Sequence, residues 1–75
     1  MDLLSVRPGK RYRIKTINDG AVRNQASSLG MGEGEEVYCC ARHKKGPVIL
    51  ARSGQLVAVG GNVARTIQVE KLPRK

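Results

Sequence analysis

The stretch Lys10-Arg11-Tyr12-Arg13-Ile14-Lys15-Thr16-Ile17-Asn18-Asp19-Gly20, with its continuation Ala21 to Gly30, decides the fold of this chain. Tyr12, Ile14 and Thr16 alternate with Arg11, Arg13 and Lys15. Alternation with a period of two is the pattern of a half-buried strand, here with a basic outer face. Asn18-Asp19-Gly20 ends that strand, and Asn18 or Asp19 is placed to cap a helix. The period then changes. Val22, Ala26 and Leu29 stand at i, i+4 and i+7, one stripe of a short helix over Ala21–Leu29. Gly30 is the stop. A helix this short does not persist alone, so it must pack on the strands.

Outward from there, Pro8-Gly9 reads as a turn before the first strand. After the helix, Gly30 to Glu35 is a glycine-rich connection. A second strand runs from Glu36 to Arg42, a third from Pro47 to Arg52 and a fourth from Gln55 to Val59. Ser53-Gly54 makes the third and fourth a hairpin. Gly60-Gly61-Asn62 turns the chain, Val63–Arg65 reads as one helical turn, and Thr66–Glu70 as the last strand with Ile67 and Val69 inward. The expected class is mainly β: a small closed or nearly closed barrel of about five strands with a short helix after the first. Residues 1–75 read as one domain, with 72–75 a basic tail expected to fray.

Composition narrows the chemistry. The chain has 75 residues, a net charge of +8, and neither Phe nor Trp. Its core must therefore come from aliphatic residues, Cys and two Tyr. No apolar run approaches the roughly 20 residues that span a bilayer. The opening residues do not have the form of a secretory signal, so the expected location is cytoplasmic. Cys39 and Cys40 are adjacent, which places them on opposite faces of a strand: one buried, one outward. With His43 they make three ligand types in one place, and no second cluster joins them. The expectation is no metal and no cofactor held tightly by one copy of the chain; sharing between two chains stays open.

Enzymatic chemistry is not expected. There is a single His, and no Ser-His-Asp or Cys-His set can be placed. Gly30-x-Gly32-x-Gly34 superficially resembles a phosphate loop, but it lacks the Gly-Lys-Ser/Thr ending and carries glutamates that repel phosphate. Its glycines read as turn residues.

Fourteen Lys and Arg against six Asp and Glu leave nucleic acid, an acidic protein surface or an anionic membrane face as partners. Only two tyrosines are available for stacking bases, no helix suits a major groove, and no amphipathic basic helix suits a membrane. An acidic protein surface survives most of these tests.

The residues also carry a resemblance. Leu3-Leu4-x-Val6-x-Pro8-Gly9, the basic strand with Ile14 and Ile17, and Leu29-Gly30-Met31-x-x-Gly34-x-x-Val37 are similar in order and spacing to the FeoA family. So are Gly46-Pro47-Val48, Leu56-Val57-Ala58-Val59-Gly60 and Ala64-x-x-Ile67-x-Val69. The resemblance implies an SH3-like barrel and a small cytosolic accessory protein of bacterial ferrous-iron uptake. Its implied partner is the FeoB permease, through the cytosolic GTP-binding domain. The candidate contacts are exposed positions: Arg11, Arg13 and Lys15 on the basic strand, Arg23 and Gln25 on the helix, and Met31 in its exit turn. Charge reversal at Arg23 is expected to spare folding, and truncation of Leu29 or Val22 to cost stability. Weak self-association through strand edges stays open. The alternative function is a basic small-barrel module that binds duplex nucleic acid or another acidic protein surface.

Overall fold

A computed structural model describes residues 1–73. The elements run as a 3-10 turn (Leu3–Ser5), β1 (Arg11–Ile17), α1 (Gly20–Ser28), β2 (Glu36–Arg42), β3 (Val48–Arg52), β4 (Gln55–Val59), α2 (Gly61–Ala64) and β5 (Ile67–Lys71). The strands form one antiparallel sheet in the order β4-β3-β2-β1-β5. β4 and β5 are its two edges, so the barrel is nearly closed rather than closed. The 3-10 turn was not foreseen from the sequence; Asp2 caps it by accepting the Leu4 N–H at 3.0 Å.

The core is the concave side of the sheet. Tyr12, Ile14 and Ile17 of β1, Val37 and Cys39 of β2, Val48 and Leu50 of β3, and Ile67 and Val69 of β5 are all buried. Leu3, Val6, Met31 and Ala64 complete it. The tyrosine is tolerated because its hydroxyl accepts the Arg7 N–H at 2.9 Å, so no polar group is stranded. The expected alternation holds through Ile14 and then slips. A bulge between Ile14 and Thr16 leaves both Lys15 and Thr16 exposed and turns Ile17 inward. A second bulge lies in β2 between Cys39 and Ala41.

Asp19 is the helix cap, accepting the Val22 N–H at 3.0 Å. The other end is a Schellman motif. The Met31 N–H donates to Ala26 at 2.8 Å and the Gly30 N–H to Ser27 at 3.1 Å, with Gly30 at φ +74°. The chain leaving that turn is tied to β1. Gly34 N–H donates to the Ile14 carbonyl at 2.7 Å, and Ile14 N–H to Glu35 at 2.9 Å. At the far end of the chain, Leu72 N–H donates to the Arg11 carbonyl and Pro73 accepts from the Arg11 guanidinium. The remainder of the expected tail, residues 74 and 75, lies outside the described residues.

The loop 43–47 meets the start of α2 backbone to backbone. A Cβ on Gly46 would lie 2.6 Å from the Gly61 nitrogen, and one on Gly61 would lie 2.5 Å from the Lys45 oxygen. Gly54, at φ +79°, has open space around it. Gly54→Ala is therefore expected to lose only about 1 kcal/mol, the cost of a left-handed alanine. Gly46→Ala must lose more, because backbone has to move as well. Thermal unfolding of the two variants checks this order, and equal losses would contradict the close approach.

Candidate functional site

The outward face of β1 is basic in sequence, and in three dimensions two glutamates offset most of its three positive charges. Arg13 lies 2.9 Å from Glu36 on β2 and 3.6 Å from Glu70 on β5. Arg11 is 3.5 Å from Glu36, and Lys15 is 3.7 Å from Glu70. The two glutamates come from the neighbouring strands on either side, because β1 is paired with both. Such cross-strand pairs are half-exposed and each contributes only a few tenths of a kcal/mol, up to about 1. Their larger effect here is to reduce the positive field expected of this face.

Arg23 is a structural residue. Its guanidinium donates to the Ile17 carbonyl at 2.7 Å and sits 3.6 Å from the Glu33 carboxylate. That carboxylate in turn accepts the Ile17 N–H at 2.9 Å. Arg23 and Glu33 thus satisfy both backbone groups of Ile17 and fasten α1 to the end of β1. Arg23 is exposed, as expected, but these bonds give charge reversal there a cost to folding.

Met31 is also not where the sequence placed it. It is 3% exposed, a core residue rather than a surface contact. The Schellman turn is the reason: it carries the residue after Gly30 back against Ala26, which that motif favours when the residue is apolar. The signal was present in Leu29-Gly30-Met31, since Gly followed by a large apolar residue marks the motif. Leu29 takes the opposite role. It is 36% exposed, so its truncation costs less than that of a buried leucine.

Leu29 exposed and Met31 buried are two sides of one feature. Where β4 and β5 fail to pair, α1 and α2 cover the opening, and a cleft of about 200 Å³ remains. Val22 and Ala26 of α1 and Leu29 at its C-cap line the cleft with Val57 and Val59 of β4 and Val63 of α2, and Ile14, Met31, Leu50 and Ile67 form the base. Gln25 is exposed at its rim. Of the sequence candidates, Gln25 alone lines this cleft as a surface residue; Arg11, Arg13 and Lys15 lie apart on the sheet exterior. Val57 and Val63 were missed because no helix or strand period marks a gap between edges.

The remaining cations fall elsewhere. Asp2 and Asp19 serve as caps, Glu35 pairs with Arg52, and Glu33, Glu36 and Glu70 are paired as above. Among the described residues, Arg7, Lys10, Arg42, Lys44, Lys45, Arg65 and Lys71 have no carboxylate within salt-bridge distance. Lys44, Lys45 and Arg65 surround a shallow recess with Leu4, Gly61 and Asn62.

The chain matches the model of the FeoA domain over residues 1–71. It belongs to the FeoA family. Solved FeoA structures superpose on nearly all of it. A crystal structure described as the iron uptake regulatory protein FeoA shares 26% identity, covers 96% of this chain and 97% of its own, and gives a TM-score of 0.84. FeoA of Chlorobium tepidum shares 25% identity over 97% of this chain and 71% of its own, with a TM-score of 0.82. FeoA of Stenotrophomonas maltophilia, determined with zinc and described as a prokaryotic SH3-domain protein, shares 20% identity. It covers 93% of this chain and 89% of its own, at a TM-score of 0.78. No curated protein matches the sequence. FeoA membership places the chain in ferrous-iron transport, and the SH3-like architecture agrees with the expected class. Among the described residues, no helix is long and apolar enough to cross a membrane.

Within this FeoA-family chain the cysteines behave as strand neighbours. Cys39 is buried and Cys40 exposed, on opposite faces of β2. One chain cannot bring both thiols to one ion from those positions. Burial, and then the neighbouring Cys40, push the Cys39 thiol pKa up. The unfolded chain therefore releases that proton first. Cys39 contributes stability that is whole below the ordinary thiol range and declines as pH rises through about 8.5 and beyond.

Three outcomes follow from this geometry. Arg23→Glu should lower stability by about 1–2 kcal/mol, from one lost hydrogen bond to a charged donor and a carboxylate placed against Glu33. Urea unfolding measures it, and an unchanged midpoint would contradict the role given to Arg23. Iodoacetamide should alkylate Cys40 in the native chain and Cys39 only on unfolding, as read by peptide mass. The alkaline decline in stability should flatten in Cys39→Ala.

Proposed function

We propose that this FeoA-family protein is a non-catalytic docking module of ferrous-iron uptake. It acts in the cytoplasm, where it binds the cytosolic GTP-binding part of a FeoB permease and modulates iron transport or nucleotide turnover. The observation that carries the reading is the apolar cleft between α1, β4 and α2, which a chain of the FeoA family presents on its surface. An SH3-like barrel offers such a cleft to a protein segment, and an apolar anchor seated in it supplies the binding energy. The ion-paired face of Arg11, Arg13 and Lys15 supports a lesser part in docking than the sequence assigned to it, because its charge is already answered.

The test is calorimetric titration of the chain with the cytosolic part of the permease, with and without guanine nucleotide. Random duplex DNA at the same ionic strength runs beside it. Binding to the permease fragment is expected, with loss of at least tenfold in affinity for Val57→Asp at the cleft wall. Binding to duplex DNA alone would replace this reading with the nucleic-acid one.

A further inference from the structure

The apolar cleft and the basic recess share a wall. The one-turn helix α2 contributes Val63 to the cleft and Gly61 and Asn62 to the recess, and Arg65, its C-cap, lines the recess as well. The two features are therefore no farther apart than the width of a single helix, about 10 Å with side chains. The opposite side of the recess is the loop of Lys44 and Lys45. Its position against α2 is set by the Gly46–Gly61 backbone contact, in which neither glycine has room for a side chain. The cations are thus held beside the cleft by backbone packing. Arg42 adds to them from the end of β2, its guanidinium bonded to the Leu4 carbonyl at 3.0 Å.

This charge is available, unlike that of β1. All six carboxylates of the described chain are occupied as caps or ion pairs elsewhere, and none approaches Lys44, Lys45 or Arg65. We infer that α2 is the centre of one composite docking surface for an acidic amphipathic segment of a partner protein. An apolar side chain of that segment enters the cleft against Val57 and Val63. Its carboxylates lie over α2 and meet Lys44, Lys45 and Arg65. Charge complementarity with an apolar anchor selects this occupant. A nucleic-acid duplex offers the cleft no apolar side chain. A bilayer surface is broad and flat, whereas both features here are concave. The inference rests on the docking reading above and names the chemistry of the segment that docks.

The experiment has two arms. In the first, the 15N-labelled chain is titrated with a synthetic peptide that carries one leucine flanked by glutamates. Controls are the same peptide with lysine for glutamate, and vesicles of anionic lipid. Amide shifts are expected at Lys44, Lys45, Asn62, Val63 and Val57, weakening as salt rises. No shifts, equal shifts with the lysine peptide, or the same residues responding more strongly to vesicles would overturn the inference. In the second arm, Lys44→Glu/Lys45→Glu is compared with Lys15→Glu/Lys10→Glu, which changes net charge equally, for binding to the permease fragment. At least a tenfold loss is expected in the first variant and a much smaller one in the second, with both folded by circular dichroism. Equal losses would leave the permease reading standing and remove this inference. Peptide binding without permease binding would do the reverse.

Discussion

The turn at Leu29-Gly30-Met31 governs the rest of the molecule. It ends α1 with both Schellman hydrogen bonds made and drives Met31 into the core. It also sends the next residues along β1, where Gly34 and Glu35 bond to both backbone groups of Ile14. The helix is thereby hung over the open side of the sheet from two points, this turn and the Arg23–Glu33 clasp at Ile17. None of the residues of α1 is buried, so packing alone does not hold it. Val22 and Ala26 pack on the core only in part and Leu29 stays outside, which leaves a cleft beneath the helix.

The electrostatics follow a similar division. Four glutamates serve six ion pairs, and all of these join strands or fasten the connection after α1. The charge near the middle of the sheet is consumed by the fold. The excess that gives the chain its +8 is displaced to the ends, the loop after β2 among them. A count of basic residues along the sequence points to β1, because there they are most dense. The structure points to Lys44, Lys45 and Arg65, because there unpaired cations gather beside the apolar cleft.

This is also where the sequence reading was strong and where it stopped. The strand β1, the capped helix, the Ser53-Gly54 hairpin and the inward Ile67 and Val69 are all local patterns, and each is present as expected. Periodicity reports which side of an element is apolar. It does not report the bulge that exposes Thr16, since an extra residue changes phase without changing composition. It does not report that Glu36 and Glu70 flank β1, since both pairings are long-range. Met31 was legible but misread: the turn chemistry that buries it lies in its neighbours, not in itself.

The two edges of the sheet are not equivalent. The outer side of β5 is engaged by the start of the chain, where Val69 N–H donates to Met1 and Asp2 bridges to Gln68. β4 has a strand neighbour on one side only, and Gln55-Leu56-Val57-Ala58-Val59 holds neither charge nor proline. An element held on one side opens at lower free energy than one held on both. This wall of the cleft is thus a strand with one hydrogen-bonded strand neighbour, paired with β3 along its whole length. A segment seated in the cleft would lie against an edge strand, whose outer backbone groups are available to a further chain.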